Sequence, residues 1–185
     1  AMAARGETVE MVVGTVEGPY RSEIAANVAV IDLQSARMSQ CLPGLVRYLR
    51  DRRPQALISE LSEANVVACC ARLLARVPTR LIVTEHNNLS HDLADSGWRG
   101  SLLKLVMRMT YSLAHEIVGV SRGVSQDLET ALGLKPGTVV TIYNPIVDTQ
   151  FASGKLPKTS TDDLPLIVAA GLYILHREMR RRARA

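Results

Sequence analysis

Leu81-Ile82-Val83-Thr84-Glu85-His86-Asn87 reads as a buried strand that runs out into polar side chains at its carboxyl end. A continuous run of Leu, Ile and Val suits a strand covered on both faces, and the carboxyl edge of an open α/β sheet is where ligands bind. On spacing alone, a polar strand-end loop with His86 bonded to backbone accounts for the same residues. The flanking sequence has to decide.

On either side of this stretch, short β-branched runs alternate with longer segments whose apolar residues recur three and four apart. The runs predict strands at Val9 to Val13, Val28 to Asp32, Ala56 to Ser59, Arg80 to Thr84, Glu116 to Val120, Val139 to Tyr143 and Leu166 to Ala170. The periodic segments predict helices over Leu42 to Arg52, Ala64 to Ala75, Ser101 to Leu113 and Ser125 to Leu132. Pro54 and Pro78 fall where helices must already have ended, and Gly133 can take the positive φ of a helix stop. Ser121 to Ser125, followed by Asp127 and Glu129, places small polar residues and acids at a helix start, where the dipole favours them. The alternation implies an α/β fold, a parallel sheet with helices on both faces.

Composition narrows the functional classes. The 185 residues are 47% hydrophobic and 22% charged, which excludes a disordered or collagen-like chain. Aromatic residues are 4%, with a single Trp98 and a single Phe151, too few for single-strand stacking platforms. The net charge of +4 resides in the last fourteen residues, where Arg177, Arg180, Arg181, Arg182 and Arg184 face one acid, Glu178. Residues 1–171 are neutral overall, so nucleic acid is not an expected partner. Cys41, Cys69 and Cys70 are odd in number and two are adjacent in an apolar stretch, which favours free thiols and a reducing compartment. No metal-ligand spacing is present, and no apolar run is long enough to cross a bilayer.

A second pair of segments makes the reading specific. Ala114-His115-Glu116-Ile117-Val118-Gly119-Val120-Ser121-Arg122-Gly123-Val124-Ser125-Gln126-Asp127-Leu128 is followed by Val139-Val140-Thr141-Ile142-Tyr143-Asn144-Pro145-Ile146-Val147-Asp148-Thr149-Gln150-Phe151. With Thr84-Glu85-His86 ahead of them, these resemble, in order, the N-terminal half of family-4 retaining glycosyltransferases: a strand ending threonine-x-histidine, a strand ending in valine-serine, then N-x-V-D-x-x-x-F. The resemblance covers roughly Met2 to Gly171. It implies a Rossmann-like acceptor-side domain of the GT-B fold, which faces a second domain that binds the nucleotide-sugar. His86 matches the family's catalytic histidine. Glu85, Asn87, Ser121 and Arg122 match loops lining the cleft, and Ser59, Glu60 and Asn65 fall on an acceptor-facing edge. Helix capping is the alternative for Ser59, Glu60 and Asn65.

Departures from the family pattern carry their own expectations. Met2 to Gly6 resembles the tail of the family's first helix, so the first strand and Gly-rich loop are expected to be missing. Val168-Ala169-Ala170-Gly171 resembles the opening strand of the donor domain, but Leu172 to Arg177 follows in place of the family's arginine and lysine. The expected organisation is an N-terminal domain over 1–152, a linker over 153–164 and a donor-domain remnant with an Arg-rich tail over 165–185. The resemblance thus implies sugar transfer from a nucleotide-sugar donor to an acceptor hydroxyl, lipid-linked or in the cell envelope. No resident cofactor or metal is implied. This chain is expected to be truncated, and inactive or dependent on another chain. The alternative is a non-catalytic binding module whose basic tail contacts anionic membrane. The expected location is cytoplasmic or peripheral at the inner face of the cell membrane.

Overall fold

The computed structural model describes residues 6–16, 24–94 and 96–144. In chain order they form β1 (Glu10–Val13), β2 (Ala29–Asp32), α1 (Cys41–Arg52), β3 (Ala56–Glu60), α2 (Ser62–Ala75), β4 (Arg80–Glu85), α3 (Leu89–Ala94), α4 (Gly97–Thr110), β5 (Glu116–Gly119), α5 (Arg122–Leu132) and β6 (Val139–Thr141). A 3-10 turn at Tyr111–Leu113 continues α4. Strands β1 and β2 pair in parallel, and β3, β4, β5 and β6 form a four-stranded parallel sheet in that order. This is the Rossmann-like α/β class that the alternating pattern implies. The chain divides into two units between Asn144 and Pro145. The expected strand at Leu166 to Ala170, the linker and the Arg-rich tail lie outside the described residues, as does most of Met2 to Gly6.

Each expected helix is present, with shifted ends. Helix α4 starts at Gly97, four residues before the expected Ser101, and its last turn tightens to 3-10 at Tyr111. Helix α3 has no counterpart in the sequence reading. Its six residues, Leu-Ser-His-Asp-Leu-Ala, span too few turns for a periodicity to register.

Register assigns the sheet faces. Leu81 pairs with Leu57, Val83 with Ser59 and Ile117, and Ile117 with Val139, so these residues share one face. On that face Leu81 and Val83 are fully buried, in one core with Leu45 and Leu49 of α1, Ala68 and Cys69 of α2, Met107 of α4, and Leu128 and Leu132 of α5. The opposite face carries Ile58 and Val140, which remain about half exposed. Burial pushes the Cys69 thiol up to about 12, so it stays protonated and unreactive. All three cysteines are free.

Helix α1 joins the two sheets. Its Leu45 and Leu49 enter the core, while Tyr48 Oη donates to Glu10 Oε2 of β1 at 2.7 Å and Arg52 pairs with the other carboxylate oxygen. The Tyr48 bond, more than the Arg52 charge, holds the Glu10 carboxyl below its ordinary value. Burial and then Glu10 itself push the Tyr48 hydroxyl up to about 12, so it remains a donor. Because the folded state lowers the Glu10 pKa, the stabilisation is present above the unfolded carboxylate range and lost as pH falls through the folded value. The thermal midpoints of the parent and Glu10→Gln should therefore differ near pH 7 and converge as the pH falls through the lowered Glu10 value.

Helix α5 approaches its strand closely. A Cβ on Gly119 would lie 2.5 Å from Ser125 Oγ and 3.0 Å from the Ser125 backbone nitrogen. Gly119→Ala should lower stability by about 2 kcal/mol, measured by urea unfolding, because backbone must move to admit one methyl group.

Candidate functional site

Strands β3, β4 and β5 are adjacent and parallel, so their carboxyl ends bring Ser59 and Glu60, Glu85 to Asn87, and Ser121 and Arg122 to one edge. Backbone bonds fasten that edge. Leu61 N donates to Thr84 O, Val120 N to Glu85 O and Ile142 N to Gly119 O. Leu61 holds φ 77°, a left-handed conformation unusual for a residue other than glycine, at the turn from β3 into α2.

Glu85 is the most constrained group of the edge. It alternates onto the buried face behind Leu81 and Val83 and is 3% exposed. A carboxylate in such a place requires donors. Ser62 Oγ donates to Oε2 at 3.0 Å, Asn65 Nδ2 donates to Oε1 at 3.0 Å, and Tyr111 Oη donates to the same Oε1. Burial first, and then the Glu85 charge, hold the Tyr111 hydroxyl far above the ordinary phenol value, so it stays a donor at every working pH. Asn65 Nδ2 also reaches Thr84 O at 3.0 Å, while its Oδ1 is buried without a partner. Asn65 is thus neither a cap, since α2 has no side-chain cap, nor at the surface. It ties α2 to β4.

His86 follows Glu85 and leaves the strand. Its side chain is about 30% exposed, yet Nε2 is shielded from solvent and has no hydrogen-bond partner. Glu60 Oε2 lies 3.8 Å from Nε2, too long for a hydrogen bond. A buried ring nitrogen without a partner, at the edge where loops converge, is a polar group whose pairing the described residues leave open. Asn87 and Arg122 are exposed at the same edge, and Ser59 is buried in β3. Ser121 caps α5, its Oγ accepting from Val124 N at 3.2 Å. The other histidine of the quoted segments, His115, accepts from Leu81 N through Nδ1 at 3.0 Å and belongs to the opposite end of the sheet.

Two members of the Glu85 cluster, Ser62 and Tyr111, escape the sequence reading. The signal was Asn65, a lone amide ahead of Val66-Val67-Ala68-Cys69, whose place on an apolar helix face demands a buried partner. Among the described residues no group of three His, Cys, Asp or Glu side chains is placed to hold a metal ion. Tyr111→Phe should destabilise the fold by about 2 kcal/mol in urea unfolding, since it removes a donor from a buried charge.

Residues 1–145 match the family described as the glycosyl transferase 4-like domain. No curated protein matches the chain. The match covers well over half of the sequence and agrees with the parallel sheet, so the chain belongs to the glycosyl transferase 4-like family.

Proposed function

We propose that this domain presents an acceptor hydroxyl for retaining transfer of a sugar from a nucleotide-sugar, with His86 as the group that touches the reacting partners. The observation that carries the reading is the unsatisfied His86 Nε2 with Glu60 at 3.8 Å. A small rotation of the half-buried ring would bring Nε2 to an acceptor hydroxyl, which would supply the missing hydrogen bond. Glu85 acts behind it: the three donors that hold its carboxylate fix the end of β4 and hence the backbone from which His86 projects. Asn87 and Arg122, both exposed, are assigned to substrate contact at the rim, together with Glu60 and Ser121, whereas Ser59, buried on the core face, is not.

A departing diphosphate needs positive charge or helix dipoles aimed at it. Donor binding is assigned to the second, facing half of the GT-B arrangement, which residues 6–144 do not form. The 185-residue chain incubated with nucleotide-sugars should release nucleoside diphosphate no faster than a protein-free blank. Joined to the donor-binding half of another family member it should gain transfer activity, and His86→Ala should then lower kcat by about 100-fold or more with the circular dichroism unchanged. An unaltered kcat would remove His86 from the chemistry.

A second reading, a module that holds a partner without catalysis, is favoured by the edge strand β3, whose Ile58 is 47% exposed. Light scattering separates the two, because this reading requires the chain to be associated at low micromolar concentration.

A further inference from the structure

Helix α4 has two faces that are both apolar. Gly100 and Met107 are buried on the inner one. On the outer one Trp98 is 72% exposed, Leu102 51%, Leu105 54% and Met109 69%. At the angular step of an α-helix these four fall within an arc of about 60°, opposite Met107, and run for about 16 Å along the axis. Single exposed apolar residues are ordinary; a continuous stripe on a helix whose core contacts are already made on its other side marks a contact surface.

The charges say what kind. From Ser96 to His115 the chain has three basic residues, Arg99, Lys104 and Arg108, and no acid. The same angular step places Arg99 on one flank of the stripe and Lys104 and Arg108 on the other. The Arg99 guanidinium lies 5.6 Å from the Trp98 ring centre, which keeps both at the start of the stripe. The flanking acids in sequence are Asp92 and Asp95 before the helix and Glu116 after it. An apolar stripe headed by tryptophan and bracketed by cations matches the boundary between acyl chains and anionic headgroups. Among the described residues no helix is long and apolar enough to cross a membrane, so the contact is one of lying on the surface.

We propose that the outer face of α4 seats this protein on an anionic lipid bilayer, with Trp98, Leu102, Leu105 and Met109 entering the headgroup boundary and Arg99, Lys104 and Arg108 meeting phosphates. The contact is distinct from the Arg-rich end of the sequence and stands whether or not His86 takes part in sugar transfer. Helix α4 follows β4 and α3 directly, so its first turn leaves from the carboxyl side of the sheet, the side of His86.

Trp98 is the sole tryptophan of the chain and reports the contact directly. The full chain should sediment with phosphatidylcholine vesicles in which roughly a third of the lipid is phosphatidylglycerol, and much less with phosphatidylcholine alone. On the anionic vesicles Trp98 emission should shift to the blue and be quenched by brominated acyl chains. The double variant Leu105→Glu with Met109→Glu should lose about tenfold or more in partition while its circular dichroism and melting are retained. Replacing Arg180, Arg181 and Arg182 by serine should leave the quenching in place. Absence of sedimentation, or sedimentation without quenching of Trp98, would overturn the proposal. So would a lipid-free dimer that the double variant dissolves, which would make the stripe a protein interface.

Discussion

A carboxyl group taken out of water has to find hydrogen-bond partners inside the fold, and Glu85 meets that requirement from three directions. Ser62 and Asn65 come from the first turn of α2, and Tyr111 from the turn that ends α4. The oxygen pair therefore draws the start of one helix and the end of another against the last residue of β4. None of these elements can shift without leaving a donor or the acceptor unpaired inside the core, where each such group costs about 1–3 kcal/mol. His86, one residue further on, inherits its position from this arrangement.

The rest of the edge is set by turns that redirect the chain sharply. At Leu61 the backbone takes a left-handed conformation and donates to Thr84 O, so α2 can start beside β4 instead of above β3. At Gly119 the absence of a side chain lets Ser125 come close enough for its Oγ to bond Ser121 O and Thr141 Oγ1, which binds α5 to β6. Ser121 completes the start of α5 as its cap. Glu60, His86 and Arg122 lie at the edge because the three strand ends are fixed by neighbours, with little direct bonding among themselves.

The alternation of runs is a strong signal because a parallel sheet repeats it, and each predicted strand within residues 6–144 has a counterpart within a residue or two. Where the reading fell short, the cause is tertiary. Val139 to Tyr143 looks like five strand residues, but only Val139 to Thr141 pair, since β5 ends at Gly119 opposite Thr141. The site was legible as residue types and not as roles. Glu85, His86 and Asn87 are consecutive, and nothing local tells that the first turns inward to the core, the second has an unsatisfied nitrogen and the third is exposed. The period of two in a strand assigns Glu85 to the face of Leu81 and Val83, but its partners come from residues 62, 65 and 111, which no local pattern connects.

Helix α4 shows how one element can serve two surfaces without conflict. Its inward residues pack against α2, α3 and α5, Gly100 where Leu93 O and Ser96 Cβ leave no space for a side chain, with Met107 and Tyr111 wholly buried. Its outward residues contribute nothing to that core, so their chemistry is free to answer to whatever lies outside the fold. The two faces nevertheless belong to one helix held by i to i−4 bonds. The helix ends at Tyr111, whose hydroxyl grips Glu85. The phenol–carboxylate contact that helps fix the end of β4 is thus made by the residue two positions beyond Met109, so the outer stripe and the edge that carries His86 are attached to the two ends of one short connection.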